Sequence, residues 1–276
     1  MIGRYLALFL VIALVPTSEG KPTFQAKYGG YVFEGDMILP MSKINIALDG
    51  GDVAPKVKER KRIPGQPFAE KVTAKSQYRW PGGVVPYVIS KGLKCSKHFW
   101  GCFFSGAEKA IKKAMQEWEK NTCIRFVPRT DQRDYIRFID DGFGKCYSHV
   151  GRTGGSQPLS LGKFCRKTGI VIHEIGHALG FYHEQSRPDR DDYVTIKYGN
   201  IQSGAAVNFR KYKRSEVQDL ALPYDYNSIM HYDKSAFSKW PWQHTIEPKK
   251  KGVQIGQRDK LSDGDIKEMK KYYNCN

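Results

Sequence analysis

A run of eleven residues in the second half of the chain restricts the possible fold more than any other feature. Residues 173 to 183 read His-Glu-Ile-Gly-His-Ala-Leu-Gly-Phe-Tyr-His. Residues four apart share one face of an α-helix, so His173 and His177 can present two imidazoles to one metal ion beside Glu174. Gly180 can end this helix in a left-handed conformation and turn the chain back. His183 can then supply a third nitrogen.

Three imidazole ligands with one open position are typical of a catalytic zinc site, because a structural site is usually closed by a fourth protein ligand. Zinc lowers the pKa of bound water into the neutral range, so the motif predicts hydrolysis. Glu174 is the expected general base, which takes a proton from the water and later delivers it to the leaving amine. A bare His-Glu-x-x-His pattern also occurs on solvated helix surfaces, but the added glycine and third histidine favour zinc.

The extended motif is that of the metzincins, and residues 181 to 191 resemble the astacin branch of that group. Three further segments carry the resemblance. They are residues 80 to 87, residues 154 to 161, and residues 228 to 232, which are similar to the astacin Met-turn. The resemblance extends from Trp80 to the end of the chain. It implies an α+β fold of two lobes, with a mixed sheet and helices in the upper lobe, an irregular lower lobe with a C-terminal helix, and zinc in the cleft between them.

The residue pattern gives a coarse reading of the same region. Ser105 and Glu108 form a capping box, and apolar residues behind them repeat at helical spacing as far as Trp118. Residues 123 to 127 and 135 to 139 alternate instead, as half-buried strands do. These elements and the zinc helix predict an α+β upper lobe.

Several roles follow from the resemblance alone. Tyr232 is implied to be a further zinc ligand that swings away to stabilise the tetrahedral intermediate, and Met230 an apolar floor below the metal. Glu184 is implied to meet the amino terminus of the activated chain.

His231 is interpreted as a structural group, since neighbours in an extended turn point to different sides. His98, His149 and His244 have no ligand spacing, and we expect them on the surface.

Residues 1 to 20 have the features of a secretory signal, since Arg4 precedes an apolar run too short to span a bilayer. We therefore expect a soluble, extracellular product. An even number of cysteines in a secreted chain favours disulfides over metal thiolates. The resemblance implies the pairs Cys123 with Cys275 and Cys146 with Cys165, which leaves Cys95 with Cys102.

Residues 21 to 70 contain several prolines and a basic run, and they lack an amphipathic period. We interpret them as a removable pro-region, with a disordered linker as the alternative. The pro-region could end anywhere between residues 62 and 78, and a catalytic domain follows over residues 71 to 276.

The run Phe33-Glu34-Gly35-Asp36 is similar to the pro-region motif of astacins. This similarity implies that Asp36 binds the zinc of the precursor and displaces the water needed for attack. Family spacing implies that the activated chain begins near Lys71. An activating protease is therefore an expected partner.

A formal net charge of +17 attracts acidic glycans, anionic matrix or nucleic acid without specifying any of them, so we interpret it by default as a soluble, solvated surface. No nucleic-acid-binding signature accompanies the charge, so we expect no nucleic-acid partner. The expected substrate is a protein or peptide, bound as an extended strand along residues 155 to 161. We expect a monomer without a membrane span or an appended C-terminal domain.

Two other functions are compatible with these residues. One is a catalytically silent secreted binding protein on the same fold, which the intact zinc motif with Glu174 and Tyr232 argues against. The other is a zinc amidase acting on small substrates, which an open edge strand for peptides argues against.

Overall fold

The structure is a computed structural model that describes residues 31–39, 72–73, 76–94, 106–218 and 220–276. The predicted signal peptide and most of the predicted pro-region lie outside these residues, as does the expected start of the activated chain at Lys71. Cys95 and Cys102 also lie outside them, and with them the pair assigned to these two cysteines.

The described part of the chain contains three α-helices and nine β-strands, joined by turns and short 3-10 helices. The helices are α1 (Gly106–Asn121), α2 (Thr168–Leu179) and α3 (Asp263–Tyr273). The strands are β1 (Tyr31–Phe33), β2 (Met37–Leu39), β3 (Val84–Ile89), β4 (Arg125–Pro128), β5 (Tyr135–Ile139), β6 (Cys146–His149), β7 (Ser156–Leu161), β8 (Val194–Ile196) and β9 (Ile246–Pro248).

The amphipathic helix predicted after Ser105 is confirmed as α1. The capping residue Ser105 itself lies outside the described residues. The apolar stripe of α1 is fully or almost fully buried: Ala107, Ala110, Ile111, Ala114, Met115 and Trp118. Trp118 also donates from its indole nitrogen to the carbonyl of Ile172, 3.1 Å away. Helix α1 therefore fixes the position of α2, which carries the zinc motif.

Strands β1 to β7 form one mixed sheet in the order β1-β2-β6-β7-β5-β3-β4. Strands β3, β4, β5 and β7 run parallel to one another, while β6 is antiparallel to β7. Strand β2 adds to β6 in parallel register, with Ser148 opposite Met37 and His149 opposite Ile38. A short segment of the predicted pro-region therefore continues the sheet of the predicted catalytic domain.

The expectation that residues 155 to 161 form the edge strand is wrong. Strand β7 occupies this segment and lies between β5 and β6. Five consecutive residues of β7, from Gln157 to Leu161, are buried, as expected for a strand covered on both faces. Strand β6 is the next one outward, and β2 covers its outer side.

The buried apolar side chains of the described residues form three clusters. The largest cluster lies between the sheet and helices α1 and α2, and includes Trp118, Phe138 and Ile175. A separate cluster, around Phe209 and Tyr232, belongs to the irregular region that follows α2. That region holds the two-stranded sheet β8-β9 and ends in α3.

Disulfides join Cys123 to Cys275 and Cys146 to Cys165, the two pairings that the resemblance implies. The first closes a loop of 152 residues between the start of the β4 region and the end of the chain. Closing so long a loop restricts the unfolded chain and so stabilises the fold. The second ties β6 to the turn that leads into α2. In the described residues, no helix combines the length and the apolar character needed to cross a bilayer.

Candidate metal centre

Helix α2 lies in the interior and is buried over nearly its whole length, including both of its histidines. Close packing against the helix depends on Gly176, because a Cβ added there would lie 2.8 Å from the sulfur of Met230. The predicted floor residue Met230 therefore packs directly against the zinc helix.

Gly180 ends α2 as predicted. Its φ of 121° lies in the region that favours glycine, and its amide donates to the carbonyls of Gly176 and His177. A Cβ at this position would lie 2.9 Å from the ring of Tyr272. The chain then turns back along Phe181, which brings His183 to the two histidines of α2.

Four side chains converge at the end of this turn. The ligand atoms of Asp36, His173, His177 and His183 all lie within 4.8 Å of one another. The Nε2 atoms of His173 and His177 are 3.1 Å apart. The carboxylate of Asp36 lies 3.1 Å from Nε2 of His173, 3.5 Å from that of His177 and 3.2 Å from that of His183.

The Nδ1 atoms of the three histidines all make contacts on the side of the ring that faces away from this centre. Nδ1 of His173 contacts the carbonyl of Ile229 at 2.8 Å, and Nδ1 of His177 contacts that of Phe181 at 2.8 Å. Nδ1 of His183 lies 2.7 Å from the carboxylate of Glu34. Since each partner is an acceptor, each neutral imidazole would carry its hydrogen on Nδ1 and present the lone pair of Nε2 to the centre.

The donor set fits a zinc ion. Three lone pairs directed at one point repel one another unless a cation lies between them, and three imidazoles with one carboxylate are zinc ligands. Nε2 of His183 and Oδ1 of Asp36 are buried without a hydrogen-bond partner in the described part of the chain. A metal ion coordinated by both atoms would satisfy them.

The segment around Asp36 fits the cleft closely. Glu34 is 1% exposed, and its carboxylate also accepts a hydrogen bond from the hydroxyl of Ser186 at 3.2 Å. Its backbone carbonyl accepts a hydrogen bond from the phenol of Tyr232. Gly35 has a φ of 87°, and a Cβ there would lie 2.8 Å from the ring of Phe237. The Glu-Gly-Asp sequence therefore matches the shape and the polar groups of this cleft.

Glu174 and Tyr232 line the same cleft, whose volume is about 570 Å³. Oε2 of Glu174 is buried and makes no hydrogen bond within the described residues. Burial raises the pKa of Glu174 well above its usual range, and the charge of Asp36 adds to this effect. Burial likewise raises the pKa of Tyr232, so this phenol keeps its proton and is a donor at neutral pH.

The turn that carries Met230 and Tyr232 is tied to helix α3. Asp265, which is completely buried, accepts from the hydroxyl of Ser228 at 2.7 Å and from the amide of Ile229 at 2.9 Å. The same carboxylate forms a capping box with Ser262 at the start of α3. One carboxylate therefore holds both the helix start and the turn below the metal centre.

Glu184 lies directly after the third histidine and is completely buried. Its carboxylate accepts from Arg187 at 3.2 Å and from the amide of Asp225 at 2.8 Å. Because Lys71 lies outside the described residues, the predicted contact with an amino terminus stays a prediction.

The remaining histidines divide into two groups. His231 is buried outside the metal cluster, where its ring nitrogens contact the phenol of Tyr224 and the carbonyl of Tyr232, both within hydrogen-bonding distance. His149 was expected on the surface, but it lies half-buried in β6, and burial lowers its pKa to about 4. The sequence shows no periodicity that places a four-residue strand inside a sheet. His244 is exposed as expected, and His98 lies outside the described residues.

Three residues contribute to the site in ways that the sequence does not predict. Glu34 and Asp265 act through contacts 149 and 36 residues away along the chain. Arg258 is the third; it lines the cleft and donates to the carbonyl of His231 at 2.9 Å, which adds a positive charge to the wall.

Comparisons with known proteins agree with this geometry. The family model of the astacin peptidases matches residues 72 to 274. Tolloid-like protein 1 from Homo sapiens is 44% identical over 79% of this chain and 20% of its own length. Bone morphogenetic protein 1 from Xenopus laevis is 47% identical over 74% of this chain and 28% of its own length. Among solved structures, High choriolytic enzyme 1, a hatching enzyme zinc-protease from Oryzias latipes, has a TM-score of 0.63 at 39% identity, covering 79% of this chain and 99% of that one.

The fold and the three-histidine centre together define a zinc metallopeptidase domain of the metzincin class. Within that class, the chain belongs to the astacin family. It spans less than a third of the length of either curated relative named above.

Proposed function

We propose that this protein is an exported zinc endopeptidase that is made as a latent precursor. The observation that carries the proposal is the convergence of three histidine Nε2 atoms beside Glu174, with each Nδ1 bonded away from the centre. A zinc ion bound by these atoms supplies Lewis acidity and an acidified water. The rest of the reaction depends on side chains of this chain.

Glu174 is the general base in this proposal. Oε2 of Glu174 is buried without a hydrogen-bond partner among the described residues, and Glu174 lines the cleft beside His173. It takes the proton from the acidified water and returns it to the amine that leaves. Burial favours the protonated carboxyl, so it makes Glu174 a stronger base for the proton of the water.

Tyr232 is the proposed donor to the oxyanion. Its phenol stays protonated and points into the cleft, where it bonds the carbonyl of Glu34. A substrate carbonyl at that position would receive the same hydrogen bond. The bond would strengthen as negative charge develops on the oxygen, so it would stabilise the transition state more than the bound substrate.

Strand β6 is the proposed docking edge for the substrate. In the described chain its amide at Ser148 donates to the carbonyl of Asp36 at 2.8 Å. A peptide can take over these backbone groups as an added strand when the pro-segment has left. Recognition through the main chain implies a protein substrate with little dependence on sequence.

Latency is proposed to depend on the segment from Glu34 to Asp36. The carboxylate of Asp36 lies beside the ligand atoms of all three histidines, while the carbonyl of Glu34 accepts a hydrogen bond from the phenol of Tyr232. Both positions needed for hydrolysis are thus taken by one short segment. An activating protease would have to cut after Asp36, and the expected new amino terminus is near Lys71. The adjacent residue Val72 pairs with Phe181, which lies three residues before Glu184.

Export is supported by two observations of different kinds. The first is the predicted signal over residues 1 to 20. The second is the pair of disulfides, since such bonds persist in oxidising compartments.

The test measures the hydrolysis of casein by the processed chain. We expect hydrolysis that a chelator stops and added zinc restores. Glu174→Gln should keep one zinc per chain and lower turnover by about two to four orders of magnitude. Glu117→Gln, a half-exposed change on α1, is the matched control and should act like the parent.

Two other results would reject the proposal. A processed chain that holds zinc but cleaves neither casein nor small amides would be a silent binding protein. Cleavage of small amides alone would indicate an amidase.

A further inference from the structure

Two tryptophans form an exposed platform on the lower lobe. Trp240 is 55% exposed and Trp242 74% exposed, although indole side chains are usually covered. Their rings stack in parallel, with centroids 5.6 Å apart and planes 9° apart. We name residues 238 to 243 the tryptophan turn.

The tryptophan turn is held firmly at its base. The amide of Gln243 donates to the carbonyl of Trp240 at 3.0 Å, which closes the turn. Lys239 is bonded twice to the neighbouring segment: its amide donates to Asn200 and its ammonium to Gly199, both at 2.8 Å. The two rings are therefore presented to solvent on a fixed support, which lowers the entropy lost on binding.

The turn begins beside the catalytic cleft. Ala236 and Phe237 line that cleft, and Trp240 follows Phe237 by three residues, which span at most about 11 Å. A molecule held on the turn would thus lie close to the cleft.

The charge close to the turn along the chain favours an anionic partner. Residues 234 to 251 contain five lysines and one acidic residue, Glu247. That glutamate already pairs with Lys197 at 2.7 Å. All five lysines are exposed: Lys234, Lys239, Lys249, Lys250 and Lys251.

We propose that the tryptophan turn and these lysines bind an anionic polysaccharide. The apolar face of a sugar ring would pack on the outer face of Trp242, while sulfate or carboxylate groups meet the lysines. Trp242 and Lys249 are seven residues apart, at most about 25 Å, so one extended polymer of a few sugars can contact both. Binding would hold the peptidase on a glycan-rich matrix beside its substrate.

A membrane surface fits less well. Aromatic rings with lysines also occur at lipid interfaces. Here Lys239 directly precedes the two rings, and Gln243 and the exposed His244 directly follow them. Immersion of the rings in hydrocarbon would therefore also dehydrate polar groups, at a cost in free energy.

The test measures the affinity of the full-length chain for heparin, a sulfated polysaccharide, with neutral dextran and phosphatidylserine vesicles as comparisons. Trp242→Ala should weaken heparin binding roughly three- to tenfold and leave its salt dependence unchanged. A triple change of Lys249, Lys250 and Lys251 to Ala should weaken binding and also reduce the salt dependence. Tryptophan emission should change on heparin binding in the parent and much less in Trp242→Ala.

Two matched controls separate the platform from general charge and general hydrophobicity. Phe164→Ala removes another exposed aromatic side chain, and should leave heparin binding unchanged. A triple change of Lys109, Lys113 and Lys120 to Ala removes the same charge from the exposed side of α1, and should cost less affinity than the Lys249 triple.

Three outcomes would overturn the proposal. They are unchanged heparin affinity in Trp242→Ala, equal losses in the two lysine triples, and vesicle binding that depends on Trp242 more than heparin binding does. None of these readouts depends on peptidase activity, so failure here is distinct from failure of the proposed endopeptidase.

Discussion

The carboxylate of Glu34 lies 2.7 Å from Nδ1 of His183, on the side of the imidazole that faces away from the metal centre. A carboxylate in this position fixes the tautomer of the ring and increases its basicity. The proposed pro-segment therefore contacts the centre twice, directly through Asp36 and indirectly through Glu34. The two contacts differ in what they should do to latency.

Glu34→Ala should weaken latency in the uncleaved chain. It removes a buried charged hydrogen bond to His183 and a second bond to Ser186, which hold the segment in the cleft. Losing bonds of this kind should raise the residual peptidase activity by roughly 10- to 100-fold. After processing, the variant should equal the parent, because the changed residue has left with the pro-segment. If the uncleaved variant is as silent as the parent, Glu34 contributes nothing to latency.

Asp36→Ala should release activity without any processing. The change removes the carboxylate that lies within 3.5 Å of all three Nε2 atoms, so water can reach the centre. The measurement is casein hydrolysis by chain shown to be intact on a gel. Asp131→Ala, in an exposed loop, is the control and should stay latent. If the two variants behaved alike, Asp36 would not be the residue that controls latency.

Tyr232→Phe in the processed chain should lower kcat by about 100-fold and change KM little. The phenol is expected to act on the oxyanion and not on the bound substrate. Steady-state kinetics and zinc content should be measured on the same preparation. Tyr87→Phe, in strand β3, is the control and should leave both constants near parent values. A raised KM with normal kcat would make Tyr232 a binding residue.

Contiguous signals are sufficient to predict the centre of the site. His173, Glu174, His177 and His183 lie within one helix and its exit, so their proximity is a matter of local geometry. Helix α1 and strands β4 and β5 are also predictable, because each has its own periodicity. The observed strands differ from the prediction by no more than two residues at either end.

Long-range relationships are not predictable in the same way. The order of strands in a sheet depends on which backbones form hydrogen bonds, and the sequence of one strand does not record its neighbours. The expected edge position of residues 155 to 161 is wrong for this reason, although the unbroken run of buried residues in β7 is typical of an inner strand. Glu34 and Asp265 likewise act on partners far away in sequence.

Asp265→Ala should destabilise the whole domain and the turn below the metal. The change leaves the buried hydroxyl of Ser228 and the amide of Ile229 without their acceptor, and it breaks the capping box of α3. We expect the free energy of unfolding to fall by about 3 kcal/mol, since each buried group left unpaired costs on the order of 1–3 kcal/mol. Urea denaturation of the latent chain, with disulfides intact, measures this as a lower midpoint at an unchanged slope. Asp263→Ala, exposed in the same first turn, should shift the free energy by less than about 0.5 kcal/mol. Equal midpoints for the two variants would show that the turn holds its shape without Asp265.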